Sequence, residues 1–195
     1  RLAKGNWFNG TIIYGERGKI IYQGAFGYSD LRKKESLTTK SSFQLASVSK
    51  MFTAMAIMIL KETGKLNYDD EVCKFIPEFP YEKITIRHLL NHRSGLPRYM
   101  SVAHENWENK TIPLTNQDML NLFVKHEPAQ YFKADKGFHY CNSNYSFLAN
   151  IVERISETSF DEFVKQKIFI PLEMNNSFVY NMNGDSLVSQ YISEG

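Results

Sequence analysis

The sequence has few of the residues that bind structural metals or form disulfide frameworks. Its 195 residues include two cysteines, Cys73 and Cys141, which lie far apart in the chain. It contains neither a Cys-x-x-Cys nor a His-Glu-x-x-His pattern, the spacings typical of redox, zinc and metalloprotease sites. We therefore expect no metal ion and no other cofactor.

A long apolar run and a strong charge of one sign are also absent. The stretch from Met51 to Leu60 is shorter than the roughly 20 apolar residues that a membrane-spanning helix needs, so it predicts a buried helix. The net charge is +2 at pH 7, and the basic residues are scattered along the chain. This charge pattern does not predict a nucleic-acid surface.

Two β-branched and aromatic stretches near the N-terminus predict a β-hairpin over residues 8–28. The strands are expected at Thr11–Tyr14 and Lys19–Tyr22, with a turn at Gly15–Gly18. The polar residues 29–42 are expected to form a connection without regular structure. This connection leads into the apolar stretch that follows Ser47.

Apolar spacing and capping residues predict helices in most of the remaining chain. The helix that begins at Ser47 is expected to end near Gly64, because glycine is favoured just after a helix. Residues 99–113 are polar and without a pattern, and are expected to form an exposed insertion. The other predicted elements are helices after Thr85 and at 115–125, 143–156 and 160–168, and an extended segment at 178–180.

Ser47 and Lys50 form a Ser-x-x-Lys pattern at the start of the first helix. This spacing puts both side chains on one face, one turn apart. Lys50 is expected to pack against Met51, Phe52 and Ala54, where partial desolvation would lower its pKa and activate the serine. The alternative is a chance match in which Ser47 caps the helix.

Tyr140 and Asn142 form the one Tyr-x-Asn pattern in the chain, at a predicted loop-to-helix junction. Beside a lysine ammonium, the phenol of Tyr140 would lose its proton more readily and could act as a base. Asn142 could donate a hydrogen bond to a substrate carbonyl or to Lys50. The alternative is a tyrosine that packs and an asparagine that caps the next helix.

The spacing of His88 and His92, four residues apart, is compatible with two metal ligands. No carboxylate or third histidine accompanies them, which favours structural roles. Cys141, between Tyr140 and Asn142, is interpreted as a packed small residue, with a reactive thiol as the alternative.

Four stretches in order resemble the serine β-lactamase and penicillin-binding protein superfamily, and most closely its class C β-lactamase-like serine hydrolases. FQLASVSKMFTAMAI is similar to the nucleophile motif and its helix, and ITIRHLLNHRSGLP to the segment His-Leu-Leu-x-His-x-Ser-Gly-Leu-Pro. FHYCNSNYSFLANIVERIS is similar to the Tyr-x-Asn motif with its helix, and FIPLEMNNSFV to the Pro-Leu-Gly-Met segment. The resemblance extends from about residue 8 to residue 179.

The resemblance implies a serine hydrolase that forms an acyl-enzyme with a β-lactam, a peptide of the D-Ala-D-Ala type or an ester. Ser47 would be the nucleophile and Lys50 its proton partner. Tyr140 would be the general base and then the acid, and Asn142 would orient the substrate. The family also implies a small-molecule or peptidoglycan-like substrate and an exported, periplasmic or cell-surface location. A binding or sensor module without turnover is the competing interpretation.

The implied fold is α+β (α/β in the broad sense), of the β-lactamase/transpeptidase type, with an antiparallel sheet packed by helices and a mostly helical lobe. We expect one incomplete domain over 1–195, with sheet strands in 1–46, the lobe in 47–175 and a return to the sheet in 176–195. No Lys-Thr-Gly or His-x-Gly tripeptide follows Asn142, so the family's third motif and late strands are expected to be missing. Open sheet edges would then favour a complementary fragment or self-association.

Overall fold

The computed structural model describes residues 8–108 and 111–179. The chain divides into two compact units. Of the described residues, 8–46 belong to one unit, and 47–108 with 111–179 belong to the other.

The described part of the first unit contains the expected hairpin. Strand β1, Gly10–Glu16, pairs antiparallel with strand β2, Lys19–Phe26. Arg17 and Gly18 connect them with φ angles of +50° and +75°. Positive φ at both turn residues matches the right-handed twist of the flanking strands. The hairpin prediction is therefore confirmed. The turn is shorter than expected, because it consists of Arg17 and Gly18 and not of the whole range Gly15–Gly18.

The polar connection predicted for residues 29–42 is wrong in its first part. A short strand β3, Tyr28–Asp30, pairs antiparallel with β4, Glu35–Ser36. The Asp30 carboxylate accepts hydrogen bonds from the backbone N–H groups of Arg32 and Lys33, at 2.7 and 3.0 Å. These two hydrogen bonds close the turn between β3 and β4. The turn therefore depends on the Asp30 side chain, and the strands form without the alternation of apolar and polar residues that usually predicts a strand.

The second unit is helical, and its central element is a long helix near the end of the described chain. This helix, α5, spans Asn142–Ser156 and packs against four of the other helices in the described range. Helix α1, Lys50–Glu62, is followed by Gly64 with a φ of +74°, as predicted. The remaining helices are α2 (Ile86–Leu90), α3 (Tyr99–Asn106), α4 (Asn116–His126) and α6 (Phe160–Val164).

Aromatic rings form the centre of the helical core. Phe147 of α5 and Phe123 of α4 are fully buried and meet edge to face, with centroids 5.2 Å apart. Phe79 adds a third ring 4.9 Å from Phe147. Edge-to-face contacts add specific attraction to the burial of these large rings, so α5 is held where the apolar contacts of the unit converge.

Two of the predicted helices begin with the same reciprocal capping arrangement, a capping box. Thr85 before α2 and Thr115 before α4 each accept from the N–H three residues later. The side chains at those later positions, His88 and Asp118, accept from the threonine N–H in return. These reciprocal bonds satisfy N–H groups that a helix start would otherwise leave unpaired.

The exposed insertion predicted for residues 99–113 is wrong in its first half. The segment forms α3 in its first half, and Val102 and Ala103 are buried in the core. The Tyr99 N–H donates to Ser143 Oγ at 2.8 Å, which ties the start of α3 to α5. Two apolar residues in a polar stretch were too weak a periodic signal, and their partners lie elsewhere in the chain.

The end of the described chain also differs from the prediction. Helix α6 stops at Val164, and a π-helical turn, Lys165–Phe169, completes the range predicted as one helix. Phe178 and Val179 are not in a strand, and Tyr180 lies outside the described residues. In the range that the structure describes, no helix combines the length and hydropathy needed to cross a bilayer.

We expect Leu148→Ala to lower the free energy of unfolding by about 2–5 kcal/mol, because it opens a cavity in a core that cannot fully collapse. Leu148 is fully buried on α5. Chemical denaturation followed by circular dichroism measures the change. The same substitution at Leu172, which is 62% exposed, is the matched control and should shift the value by less than about 0.5 kcal/mol. Equal losses at the two positions would contradict this account of the core.

Candidate active site

Ser47 lies in a short 3-10 turn rather than in the helix itself. The turn spans Ala46–Ser49, and α1 begins at Lys50, three residues later than predicted. Ala46 has a φ of +46°, in the left-handed region that costs a non-glycine residue roughly 1–2 kcal/mol. Side chains three apart eclipse in a 3-10 turn, so Ser47 and Lys50 still share one face.

Lys50 is bonded to groups of both motifs. Its Nζ donates to Ser47 Oγ at 3.2 Å and to Asn142 Oδ1 at 2.7 Å. The same ammonium lies 4.9 Å from the Tyr140 ring centroid and 5.5 Å from that of Tyr145. It is therefore held by one hydroxyl, one amide oxygen and two aromatic rings.

The contacts of the Lys50 ammonium come from residues that the sequence analysis did not name as its surroundings. Met51 is 68% exposed, and the contacts of the ammonium come from Ser47, Tyr140, Asn142 and Tyr145. Helical side chains lean toward the N-terminus of their helix. The lysine at the first position of α1 therefore points back over the preceding turn, away from the residues that follow it.

Tyr140 completes a set of donors around the serine oxygen. Its hydroxyl donates to Ser47 Oγ at 2.7 Å. The Lys50 ammonium and then the Ser47 hydroxyl hold the pKa of Tyr140 below its usual value, while partial desolvation acts in the opposite direction. Because Tyr140 is 45% exposed, this shift comes from close contacts and not from burial.

Asn142 is the first residue of α5, and its amide has the opposite role toward Lys50 from the one predicted. Oδ1 accepts from the ammonium, whereas the sequence suggested a donor. An amide whose oxygen is occupied presents its Nδ2 as a donor. Asn142 can therefore hold Lys50 and donate to a second oxygen at the same time.

The loop that ends in Tyr140 is paired with the segment that follows α2. Tyr131 N–H donates to Gly95 O at 2.8 Å, and Asp135 N–H to Arg93 O at 2.9 Å. Gly95 has a φ of +74°, and a Cβ there would lie 1.9 Å from the Phe132 carbonyl oxygen. A glycine is therefore required at this position, because any other residue would place a Cβ against the Phe132 backbone.

Polar side chains buried below the site join the start of α5 to the same segment. Ser143 Oγ donates to Pro97 O at 2.7 Å, and Ser94 Oγ donates to Asn144 Oδ1 at 2.5 Å. Cys141 is buried, and its thiol donates to Pro97 O at 3.3 Å. The interpretation of Cys141 as a packed small residue is therefore confirmed.

His88 and His92 have separate structural partners, as predicted. His88 Nδ1 caps the Thr85 N–H, whereas His92 follows the helix, with a φ of +56°. His92 is buried, and its ring lies 4.5 Å from the Tyr140 ring, centroid to centroid. Sequence reasoning did not connect His92 with the site, and it did not single out Tyr145 at all.

A small pocket of about 180 Å³ borders the site. Among the described residues, no group of three His, Cys, Asp or Glu side chains is placed to hold a metal ion. The pocket is lined by Arg98, Tyr99, Met100, Tyr140, Cys141 and Asn142.

The arrangement brings together all four side chains singled out in the sequence, Ser47, Lys50, Tyr140 and Asn142. The family model described as Beta-lactamase matches residues 6–186. The chain belongs to the β-lactamase family. The α+β fold expected for that family is confirmed by solved structures of penicillin-binding proteins.

The similar proteins are larger than this chain. Penicillin-binding protein 4* of Bacillus subtilis (strain 168) is 44% identical over 180 residues, which cover 92% of this chain and 40% of that protein. The structure of a penicillin-binding protein from Bacillus halodurans has a TM-score of 0.80 at 28% identity, covering 94% of this chain and 56% of that one. FmtA from Staphylococcus aureus has a TM-score of 0.73 at 26% identity, covering 87% and 46%. The chain thus spans about two fifths of the length of the curated relative from Bacillus subtilis.

We expect Lys50→Met to raise the pKa of Tyr140 toward its ordinary value near 10, because the cation that favours the phenolate is removed. The chain has 11 tyrosines, so ultraviolet titration is performed as a difference between each protein and its Tyr140→Phe derivative. Lys65→Met removes an exposed lysine of the same unit and should leave the midpoint of the Tyr140 titration unchanged. An unaltered midpoint in Lys50→Met would show that the ammonium does not act on Tyr140.

Proposed function

We propose that this β-lactamase family chain carries the catalytic residues of a serine acyl hydrolase that works through an acyl-enzyme. The observation that carries the proposal is the convergence on Ser47 Oγ of Tyr140 Oη at 2.7 Å and Lys50 Nζ at 3.2 Å. A serine hydroxyl is a weak nucleophile until an adjacent base takes its proton. Both proton carriers are at the distance that such a transfer needs.

In the acylation step, Ser47 Oγ attacks the substrate carbonyl carbon and gives its proton to the Tyr140 phenolate. The Lys50 ammonium stabilises that phenolate beforehand, in line with the lowered pKa of Tyr140. The Ser47 N–H is assigned one of the hydrogen bonds to the developing oxyanion. Tyr140 then returns the proton to the leaving nitrogen or oxygen as its bond to the carbonyl carbon breaks.

Deacylation uses the same groups in reverse. A water molecule attacks the ester carbonyl and gives a proton to the Tyr140 phenolate. The bond from the carbonyl carbon to Ser47 Oγ then breaks, and Oγ takes that proton. Each half-reaction leaves Lys50 charged and Tyr140 in its starting state.

Asn142 is assigned two tasks in this mechanism. Its Oδ1 holds the Lys50 ammonium at 2.7 Å, which keeps the cation beside both Ser47 and Tyr140. Its Nδ2 is free to orient a substrate amide oxygen next to the adjoining pocket. Holding a reactant in one orientation lowers the barrier without any change in the reacting groups.

The proposed substrates are a β-lactam, a peptide of the D-Ala-D-Ala type or an ester. Similar proteins are named as a penicillin-binding protein, a D-amino acid amidase and a hydrolase with promiscuous acyltransferase activity, which supports acyl transfer as their shared chemistry. A substrate from peptidoglycan would require an exported protein, at the cell surface or in the periplasm, and we include that location in the proposal.

We expect Ser47→Ala to abolish covalent labelling by a fluorophosphonate or benzylpenicillin, because no other side chain is assigned as nucleophile. Intact-protein mass spectrometry with peptide mapping measures the adduct. Ser49→Ala is the matched control, since Ser49 lies in the same turn and makes no side-chain cap bond, and it should keep the wild-type adduct. Labelling of Ser47→Ala at the wild-type rate would exclude Ser47 as the nucleophile.

For Tyr140→Phe we expect the rate of acylation to fall by roughly 10²–10⁴-fold, the usual contribution of a general base. Stopped-flow hydrolysis of a nitrophenyl ester or nitrocefin separates acylation from turnover. Tyr131→Phe, which removes the hydroxyl of another exposed tyrosine, should retain the rate. A burst without steady-state turnover in the wild type would instead support a binding or sensor module.

A further inference from the structure

We propose that His92, in its neutral form, is the positioning residue that holds Tyr140 against Ser47. The inference rests on the proposed function, in which Tyr140 is the proton carrier. His92 is assigned no proton transfer, because its contacts with the Tyr140 segment are to the backbone and to the ring and not to the phenol oxygen.

The first observation is that His92 binds the backbone on both sides of Tyr140. The N–H of His139 donates to the His92 carbonyl oxygen at 3.0 Å. The N–H of Cys141 donates to His92 Nδ1 at 3.2 Å. One residue therefore anchors both neighbours of the tyrosine, and the backbone of Tyr140 has little freedom to move.

A second observation determines the protonation state of His92. Ser94 Oγ donates to Asn144 Oδ1, so the amide nitrogen of Asn144 faces His92 Nδ1, at 3.0 Å. Nδ1 is thus surrounded by two donors, the Cys141 N–H and the Asn144 amide. It can accept from them only if it carries no proton, which leaves the proton of the neutral ring on Nε2.

A third observation links the His92 ring to the cation of the site. The ring lies 4.5 Å from that of Tyr140 and 5.2 Å from that of Tyr145, centroid to centroid. These are the two rings beneath the Lys50 ammonium. His92 therefore supports the aromatic surface on which the cation rests.

The charges around His92 favour the same neutral state. Burial and then the Lys50 ammonium lower the pKa of His92, and His139 adds a smaller lowering. The other titratable groups against its ring are the phenols of Tyr140 and Tyr145. A proton on Nδ1 would remove the acceptor for Cys141 and place a second cation near Lys50.

Two substitutions separate the acceptor from the ring. His92→Asn keeps an oxygen near the position of Nδ1 and suits the positive φ of this residue, whereas His92→Phe keeps a ring and removes the acceptor. We expect His92→Phe to slow acylation of Ser47 about 10–100-fold, as a displaced catalytic group does, and to move the pKa of Tyr140 toward 10. We expect His92→Asn to be slowed less than His92→Phe, with at least half of the loss in the logarithm of the acylation rate recovered.

The control is His88→Asn, which removes the histidine whose Nδ1 accepts from the Thr85 N–H at the start of α2 and should change neither the acylation rate nor the pKa of Tyr140. The measurements are fluorophosphonate acylation against pH and the tyrosine difference titration, performed on the intact protein. A folded His92→Phe variant with the wild-type rate and midpoint would overturn the proposal. A slowed variant with an unmoved Tyr140 midpoint and no recovery in His92→Asn would also overturn it, by reducing His92 to a packing residue.

Nitrogen-15 NMR of the wild-type histidines tests the proposal without any variant that has to fold. A His92 signal of the neutral ring with Nδ1 unprotonated is expected at pH 7, and a proton on Nδ1 would overturn the proposal. Failure of the wild type to label at Ser47 would refute the proposed function alone. The Tyr140 midpoint in the His92 variants would still decide whether His92 positions the tyrosine.

Discussion

The candidate site depends on the ammonium of Lys50, which joins two parts of the chain that are far apart in sequence. It bonds to Ser47 in the turn before α1 and to Asn142 at the start of α5. Helices α1 and α5 pack against each other, so the apolar core determines whether these polar groups meet. A hydrogen bond between them has strict distance limits, whereas the packing that brings them together tolerates small changes.

The buried polar network beside this contact restricts the start of α5. Ser143, Asn144 and Cys141 all bond to the segment from His92 to Tyr99. A buried polar group without a partner is costly, so each of these bonds favours one arrangement of the two segments over neighbouring ones. Tyr140 is half-exposed above this network, and its orientation comes from the buried groups that flank it.

Several elements could be predicted from local sequence because their signals are local. The hairpin turn at Arg17–Gly18, the end of α1 at Gly64 and the threonine caps of α2 and α4 each depend on a few adjacent residues. Helix α3 could not be predicted in this way, since Val102 and Ala103 are its only buried residues. The strands β3 and β4 were missed for a related reason, because their turn is closed by backbone N–H groups that donate to the Asp30 carboxylate.

The sequence by itself determined which groups we propose for the chemistry: Ser47, Lys50, Tyr140 and Asn142 stand out in their motifs. Only the tertiary structure decided how they meet. It placed the Lys50 ammonium over two tyrosine rings instead of along its own helix, made Asn142 an acceptor, and brought His92 to both neighbours of Tyr140. The physical reason is that a motif records the types of side chain and their spacing, whereas distance, burial and hydrogen-bond direction arise from the packing of segments that are remote in the chain.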